Sequence, residues 1–248
     1  QKRALIIGAG GQNRILLIEF LKKDNRPVLI FRDKLNMSNK FESIFIVNNV
    51  LDEIYYFGSE NPTSQDEEST SIKSFNINLI INLFEAVLNL KIKQKYFTLQ
   101  PNILYWKSKP NQSEESRSEP ISIFGLANFY ATHGCGNYRK NKKLFISTSL
   151  LFNYKLKHRK DNFDKKITLA IIKEINKLEP GNIDVKIDWG DTPDFVEAIY
   201  NIIQLNKPSY FIISTNETNF LREFIDIAFS HVRLNNLDYV NFQNSIVK

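Results

Sequence analysis

Apolar residues along the chain fall into two recurring patterns, short continuous runs and longer stretches with helical spacing. Residues 4–7 (ALII) and 28–31 (VLIF) are continuous runs, which predict two buried strands. Between them, residues 12–23 carry apolar side chains at intervals of three and four, which predicts a helix. A strand, a turn, a helix and a second strand in this order are typical of the start of a dinucleotide-binding fold.

The same two patterns continue to the end of the chain. They predict strands at 54–57, 96–99, 144–151 and 210–213, and helices at 76–91, 121–139, 166–178, 193–205 and 219–232. Polar loops are expected at 61–71 and 107–120. Because strands and helices alternate, we predict an α/β fold, namely a Rossmann-like doubly wound parallel sheet with a small C-terminal lobe. We assign residues 1–151 and 183–213 to a nucleotide-binding core, and residues 152–182 and 214–248 to a reduced lobe of the substrate-binding type.

Composition is that of a globular chain. Of the 248 residues, 42% are hydrophobic and 24% are charged, which is enough to bury a large core. No apolar run approaches the roughly 18 residues that a membrane span needs. The chain opens almost directly into a strand, and no signal peptide is visible. We therefore expect a cytoplasmic location, or an organellar one after removal of a transit peptide.

The net charge and the cysteine content limit which ligands and metal ions the chain is expected to bind. The net charge is +6, with basic clusters at 91–95, 139–143 and 155–166. The absence of a known nucleic-acid-binding motif argues against nucleic acid, so we interpret these clusters as a solvated face or as a site for an anionic nucleotide. One cysteine, Cys135, with three histidines in the whole chain is too little for a zinc site, and we expect Cys135 to be a buried core residue and no metal to be bound.

A glycine-containing turn follows the first strand. Gly8-x-x-Gly11-x-x-Arg14 has the spacing of a phosphate-binding turn, in which glycines let the backbone approach a pyrophosphate at a helix N-terminus. Arginine stands where a third glycine is expected. Its long cationic side chain either crowds the cofactor or pairs with a phosphate, and the sequence leaves both alternatives open.

Several motifs carry a resemblance to a known family. Residues 4–13 (ALIIGAGGQN) are similar to A-L-I-T-G-x-T-G-Q-D, and residues 181–190 (GNIDVKIDWG) to G-N-L-D-A-K-R-D-W-G. Shorter matches occur at 53–58 (EIYYFG), 151–153 (LFN) and 221–224 (LREF). In these motifs the chain resembles the extended short-chain dehydrogenase/reductases, and most closely the GDP-mannose 4,6-dehydratase family.

The resemblance implies a nucleotide-binding crevice and NADP as the cofactor. The positions that match cofactor-binding residues of the family are Gly8, Gly11, Gln12, Asn13, Arg32 and Gly58. Those that match substrate-binding residues are Asn153 and Lys166.

The positions of the reacting groups depart from the family. Phe124 stands where the resemblance implies the acid/base tyrosine, and Asn128 where it implies the lysine that lowers the pKa of that tyrosine. Pro101 and Ile103 replace the threonine and glutamate that act at the sugar. A phenyl ring has no proton to exchange and an isoleucine cannot deprotonate a carbon. We therefore expect no catalytic residues at these positions.

The leading hypothesis is a catalytically inactive dehydratase-like protein that acts as a structural or binding subunit of an assembly, with NADP binding that is weak or absent. The resemblance implies helix contacts through 76–91 and 121–139, so the expected partner is a second copy, an active paralogue or a larger protein assembly. Two alternatives stay open, an active NADP-dependent GDP-mannose 4,6-dehydratase and an NADP(H)-sensing regulator.

Overall fold

The computed structural model describes residues 2–8, 12–31, 51–57, 70–91, 94–101, 112–120, 123–151, 153–154 and 183–240. The predicted helix at 166–178 lies outside these residues. The described strands are β1 Ala4–Ile7, β2 Val28–Phe31, β3 Glu53–Tyr56, β4 Lys95–Pro101, β5 Phe145–Leu151, β6 Asn153–Tyr154, β7 Lys186–Gly190, β8 Tyr210–Ile213 and β9 Thr218–Phe220. The helices are α1 Gln12–Lys23, α2 Thr70–Asn89, α3 Ile123–Asn141, α4 Thr192–Gln204 and α5 Leu221–His231, followed by a 3₁₀ turn at Asn236–Asp238.

Six of these strands form one parallel sheet. Their order is β2-β1-β3-β4-β5-β8, and every neighbouring pair is parallel. The chain moves outward from β1 to β2 and then returns to the other side of β1 with β3. This arrangement confirms the predicted Rossmann-like α/β class.

One face of the large sheet packs against α2 and α3. Leu5 and Tyr96 point to this face from β1 and β4, and they meet Phe84 on α2 and Cys135 on α3 in one buried cluster. Phe84 and Tyr96 make an edge-to-face contact with ring centroids 5.8 Å apart. Cys135 is fully buried there, which confirms the prediction that it is a core residue.

Side chains alternate along a strand, so the neighbours of these residues point to the opposite face. Ile6, Tyr55 and Phe97 are fully buried on that side. Helices α1 and α4 contact each other through the rings of Phe20 and Tyr200, whose centroids lie 5.2 Å apart. No helix of the described ranges is both long enough and apolar enough to cross a bilayer.

A buried carboxylate ties several elements together at the amino-terminal edge of the large sheet. Glu53, at the start of β3, is 1% exposed. It accepts hydrogen bonds from Arg26 Nη1 (3.1 Å), Tyr55 Oη (3.0 Å) and Gln204 Nε2 (2.8 Å), and Lys2 Nζ lies 3.2 Å from it. The donors come from the segment before β1, the segment before β2, β3 itself and α4, so this Glu53 cluster joins four parts of the unit.

The neighbours of Glu53 respond to its charge. Burial, together with the negative charge of Glu53, raises the pKa of Tyr55, so its hydroxyl stays protonated and donates. Arg26 also donates to the hydroxyl of Tyr200 and lies over its ring, 4.8 Å from the centroid. Burial lowers the pKa of Arg26, but the hydrogen bond to Asp24 and the charge of Glu53 outweigh it and raise the pKa overall.

The chain divides into two compact units. The first contains residues 1–152 and 193–213, and the second contains 153–192 and 214–248. This division differs from the predicted boundaries at residues 183–192, because β7 pairs with β6 and β9 in a separate three-stranded sheet. Neither β7 (KIDWG) nor β9 (TNF) is a continuous apolar run of the kind that predicted β1 and β2, so neither was predicted.

The second unit has its own core and a capped turn. Leu221, Ile225 and Phe229 on α5 are buried in this core, and Trp189 packs on Phe224 with ring centroids 5.0 Å apart. Asp188 is 6% exposed and accepts hydrogen bonds from the backbone N–H groups of residues 215 (3.0 Å) and 216 (3.0 Å). The DW pair at 188–189 therefore has a structural role in this unit.

Replacing Glu53 by alanine should destabilise the protein strongly. The change leaves Arg26 without its buried carboxylate, and breaking such a pair costs on the order of 3 kcal/mol in the free energy of unfolding. Asp24→Ala is the matched control, because Asp24 is exposed and also pairs with Arg26; its cost should stay below about 1 kcal/mol. Urea denaturation followed by circular dichroism measures both. Equal losses from the two variants contradict the role given to Glu53.

Candidate functional site

The strand order places a crevice at the carboxyl-terminal edge of the large sheet. The strand that follows β1 lies on one side of it and the strand that follows β3 lies on the other side, so the strand order reverses between β1 and β3. In open α/β sheets ligands bind at such a switch point, outside the carboxyl ends of the strands. The candidate site is therefore built from the residues that follow Ile7 and Tyr56.

The position directly after β1 is occupied by Gly8, and the backbone around it leaves no space for a side chain. Its φ is +135°, which L side chains rarely adopt. A Cβ atom at Gly8 would lie 2.7 Å from the carbonyl oxygen of Phe57, closer than any real contact. The N–H of Phe57 donates to the carbonyl of Ile7 at 2.7 Å, so the two strand ends are locked together. The close approach of Gly8 to Phe57 therefore requires a glycine here, and contact of Gly8 with a pyrophosphate stays a prediction.

Arg14 lies where the phosphate-binding motif has its third glycine. Its side chain is buried, with 7% of its surface exposed, and its Nη1 donates to the carbonyl of Gly8 at 2.8 Å. A glycine at this place serves close packing of the helix on the strand. Here the first turn of α1 instead encloses a guanidinium that binds the turn itself. The turn therefore keeps the first glycine of the motif at Gly8 and has a buried guanidinium at Arg14, where the motif has its third glycine.

The remaining predicted cofactor and substrate residues are described only in part. Gln12 and Asn13 form the first turn of α1. Asn153 begins β6, in the second unit. Gly11, Arg32, Gly58 and Lys166 lie outside the described residues. Their assignment to binding stays a prediction.

Three of the four positions of the reacting groups fall at the same edge of the sheet. Phe124 and Asn128 are on the first turns of α3, four residues apart and so on one face of the helix. Asn128 is 1% exposed, and its backbone carbonyl accepts a hydrogen bond from Thr132 Oγ1 at 2.8 Å. Pro101 is the last residue of β4. Ile103 lies outside the described residues.

A buried polar cluster beneath α3 was not predicted. Thr98 and Thr148 are opposite each other on β4 and β5, and Thr98 Oγ1 donates to Thr148 Oγ1 at 3.0 Å. Cys135 Sγ lies 3.7 Å from Thr98 Oγ1, and Arg139 Nη2 donates to Thr148 Oγ1 at 3.3 Å. The signal was available as Thr98 in the interior of β4 and as the polar run of residues 147–149 in the interior of β5.

This cluster has the character of a core feature. Burial raises the pKa of Cys135, against the opposing effect of its hydrogen bonds to Thr98 and Thr148 and the charge of Arg139. Burial also raises the pKa of Tyr56, with Cys135 contributing. Both groups therefore stay protonated near pH 7. No group of three or more metal-ligating side chains occurs in the described part of the chain.

Solved structures with the same fold are nucleotide-sugar enzymes and their relatives. A UDP-glucose 4-epimerase from Thermotoga maritima with UDP-glucose superposes with a TM-score of 0.84 and 12% identity, covering 96% of this chain and 85% of that one. RMD from Pseudomonas aeruginosa complexed with NADPH gives 0.82 and 15%, covering 98% and 85%. A dTDP-glucose 4,6-dehydratase from Bacillus anthracis in complex with NAD gives 0.80 and 14%, covering 99% and 86%. At these identities the likeness establishes the fold, that of the short-chain dehydrogenase/reductases.

Sequence comparison defines the family more narrowly. The family model described as GDP-mannose 4,6 dehydratase matches residues 5–247, and the chain belongs to this family. GDP-mannose 4,6 dehydratase 1 of Arabidopsis thaliana is 28% identical, over 97% of this chain and 77% of the relative. The Drosophila melanogaster protein is 27% identical over 93% and 68%. The resemblance drawn from the motifs is confirmed.

Replacing Gly8 by alanine should distort the turn. The added Cβ meets the Phe57 carbonyl, and the positive φ adds strain, so we expect a loss on the order of 2 kcal/mol in the free energy of unfolding. Gly136→Ala is the control: this residue lies inside α3, and an added Cβ meets nothing within 4 Å. There alanine should stabilise by about 0.5–1 kcal/mol. Denaturant titration of both variants checks this, and a neutral Gly8→Ala contradicts the described geometry.

Proposed function

We propose that this chain is a catalytically inactive member of the GDP-mannose 4,6-dehydratase family, which acts as a structural or binding subunit of an assembly. The observation that carries the proposal is the pair Phe124 and Asn128. The two residues share one helix face at the carboxyl edge of the sheet, where the family places its tyrosine and lysine. Neither side chain exchanges protons near neutral pH, so the fold is kept while the acid/base pair is lost.

Asn128 also argues against the idea that another residue has taken over the role of the missing acid/base pair. An amide carries no charge, so at this buried position it cannot stabilise a phenolate on a neighbouring residue. Another tyrosine and lysine with this spacing are Tyr138 on α3 and Lys142, which directly follows the end of the helix. Tyr138 lies 14 residues, or about 21 Å, further along the chain than Phe124. Its hydroxyl donates to Glu85 on α2, and burial with this hydrogen bond raises the pKa of Tyr138 to about 12.

Arg14 supports the part of the proposal that concerns NADP. The cofactor would bring redox chemistry to the crevice. Gly8 is the first glycine of the phosphate-binding motif, but the guanidinium of Arg14 donates to the Gly8 carbonyl. We therefore propose that dinucleotide binding is weak or absent. An active NADP-dependent dehydratase and an NADP(H)-sensing regulator are the alternatives, and both require binding in this crevice.

The surface of α2 and α3 supports a role in assembly. Ile81 on α2 and Leu126 and Tyr130 on α3 are large apolar side chains with 37%, 42% and 55% of their surface exposed. The sequence predicted that these two helices take part in contacts between subunits. Association through them, with a second copy or with an active paralogue, stays a prediction.

Turnover is the direct test of inactivity. The purified chain is incubated with GDP-mannose and NADP⁺, and the products are separated and identified by mass spectrometry. We expect no dehydrated sugar nucleotide above the level of a protein-free blank. The Arabidopsis thaliana relative named above is the positive control under identical conditions. Product in molar excess over the chain would overturn the proposal and favour the active dehydratase.

Arg14→Gly tests the cofactor claim separately. Removing the guanidinium frees the Gly8 carbonyl and restores the glycine spacing, so calorimetry should show NADPH binding at least about tenfold tighter than that of the wild type. Arg14→Lys is the control, since an ammonium group can still donate to Gly8 and should leave binding as weak as in the wild type. Weaker binding in Arg14→Gly than in the wild type would show that Arg14 is a phosphate ligand and would favour the NADP(H)-sensing alternative.

A further inference from the structure

Exposed basic side chains gather at the amino-terminal edge of the large sheet. In a parallel α/β sheet each helix ends beside the start of the next strand, so the segments before β1, β2, β4, β5 and β8 lie at one edge. Contacts between them show this directly. Lys95 at the start of β4 donates to the carbonyl of Leu205 after α4 at 2.7 Å, and Lys2 before β1 donates to Gln204 at 2.6 Å.

The exposed cations at the amino-terminal edge of the large sheet form two groups. On the side of β1 and β2 the exposed cations are Arg3, Lys22 and Lys23. On the side of β4, β5 and β8 they are Lys91, Lys140, Lys142, Lys143 and Lys207. We call these exposed residues the basic edge. They all belong to the first compact unit, and adjacent strands lie about 4.8 Å apart, so the basic edge spans about 24 Å across six strands.

The acidic residues of the same loops and strand starts are already engaged. Asp24 pairs with Arg26 at 2.7 Å, and Asp52 accepts the backbone N–H of Arg3 at 2.7 Å. Glu53 is buried in the cluster described above. None of these three carboxylates is paired with a side chain of the basic edge, so the surface is strongly positive.

Helix dipoles explain only part of this surface. Cations are favoured in the last turn of a helix, which accounts for Lys22, Lys23 and Lys140. The last turns of α2 and α4 contain no basic residue, yet Lys91 and Lys207 follow them in the loops. Lys142 and Lys143 likewise follow the end of α3. The preference for cations in the last helical turn therefore does not account for these four lysines.

We propose that the basic edge binds the phosphodiester backbone of a nucleic acid without reading its bases. Duplex nucleic acid carries one charge per about 1.7 Å of its axis, or about 14 charges along 24 Å, so the edge meets a dense array of phosphates. Lysine contacts phosphate as a point charge, which suits backbone contact without sequence readout. The missing motif that argued against nucleic acid in the sequence concerns recognition modules, and contact with phosphates alone does not require base readout.

Other anionic partners fit less well. Protein interfaces are depleted of lysine at their centre and enriched in aromatic residues, whereas seven of the eight cations here are lysines. Stable attachment to a membrane takes a second signal beside a basic patch. Leu205, at 43% exposure, is the one large apolar side chain of the described amino-terminal loops that is exposed to this degree. The proposal is independent of whether the crevice at the opposite edge of the sheet is catalytic.

The test uses fluorescence anisotropy with the whole chain and two labelled probes, a 20-nucleotide single-stranded RNA and a 20-base-pair DNA duplex. The wild type should bind at least one of them, with an affinity that falls steeply as salt rises. The triple variant Lys140→Gln, Lys142→Gln, Lys143→Gln should bind at least about tenfold more weakly, and the slope of log affinity against log salt should fall by about 2 to 3. Whichever probe binds more tightly identifies the source of the phosphates.

The control triple is Arg117→Gln, Lys186→Gln, Arg233→Gln. It removes the same charge from exposed positions that do not belong to the basic edge, and its affinity should stay within about twofold of the wild type. Equal weakening in both triples, no binding to either probe at 50 mM salt in the wild type, or binding to phosphatidylserine vesicles alone would each overturn the proposal. Assays of GDP-mannose turnover on the same proteins report on the crevice independently, so failure of one proposal is distinguishable from failure of the other.

Discussion

The first compact unit depends on a carboxylate that is removed from water at the amino-terminal edge of its sheet. Glu53 is almost completely buried, and an isolated charge in that position would be prohibitively costly. Four donors offset the cost, and they come from parts of the chain that lie far apart in sequence, Lys2, Arg26, Tyr55 and Gln204. A network of this kind is stable only when every member is present, so it fixes where α4 and the starts of β1, β2 and β3 lie relative to one another.

The amino-terminal and carboxyl-terminal edges of the large sheet have different physical requirements. At the amino-terminal edge, charge is compensated inward by Glu53 while cations remain outside. At the carboxyl-terminal edge, the backbone of Gly8 approaches Phe57 so closely that no side chain is allowed. The family fold imposes the second requirement through the glycine turn, and this chain retains it. The contact with Phe57 excludes a side chain at Gly8 independently of any ligand, and the sequence has Arg14 in place of the third glycine.

Much of the large sheet could be predicted from periodicity, because its strands are continuous apolar runs bounded by polar loops. The errors came where the pattern is short or where tertiary contacts decide. β7 and β9 have five and three residues, and pairing between them, rather than propensity, makes them strands. Helix α2 starts at Thr70, earlier than the predicted residue 76, because the polar residues of its first turns gave no apolar spacing. The residues that meet in the Glu53 cluster are separated by up to 202 positions, so no local sequence pattern could predict their contacts.

The candidate site likewise contains features that the sequence predicts and features that only the structure shows. The glycine turn and its place after β1 follow from the sequence, since only glycine tolerates the conformation there. The direction of the Arg14 side chain does not follow, because a long cation in the first turn of a helix has two plausible anchors, a phosphate or a backbone carbonyl. The structure gives the carbonyl of Gly8 as one anchor. An arginine bound in this way stabilises the turn through its own hydrogen bond, a task that a ligand performs in a phosphate-binding turn. This hydrogen bond explains how the Gly8 turn keeps its place beside β3 with an arginine where the motif has its third glycine.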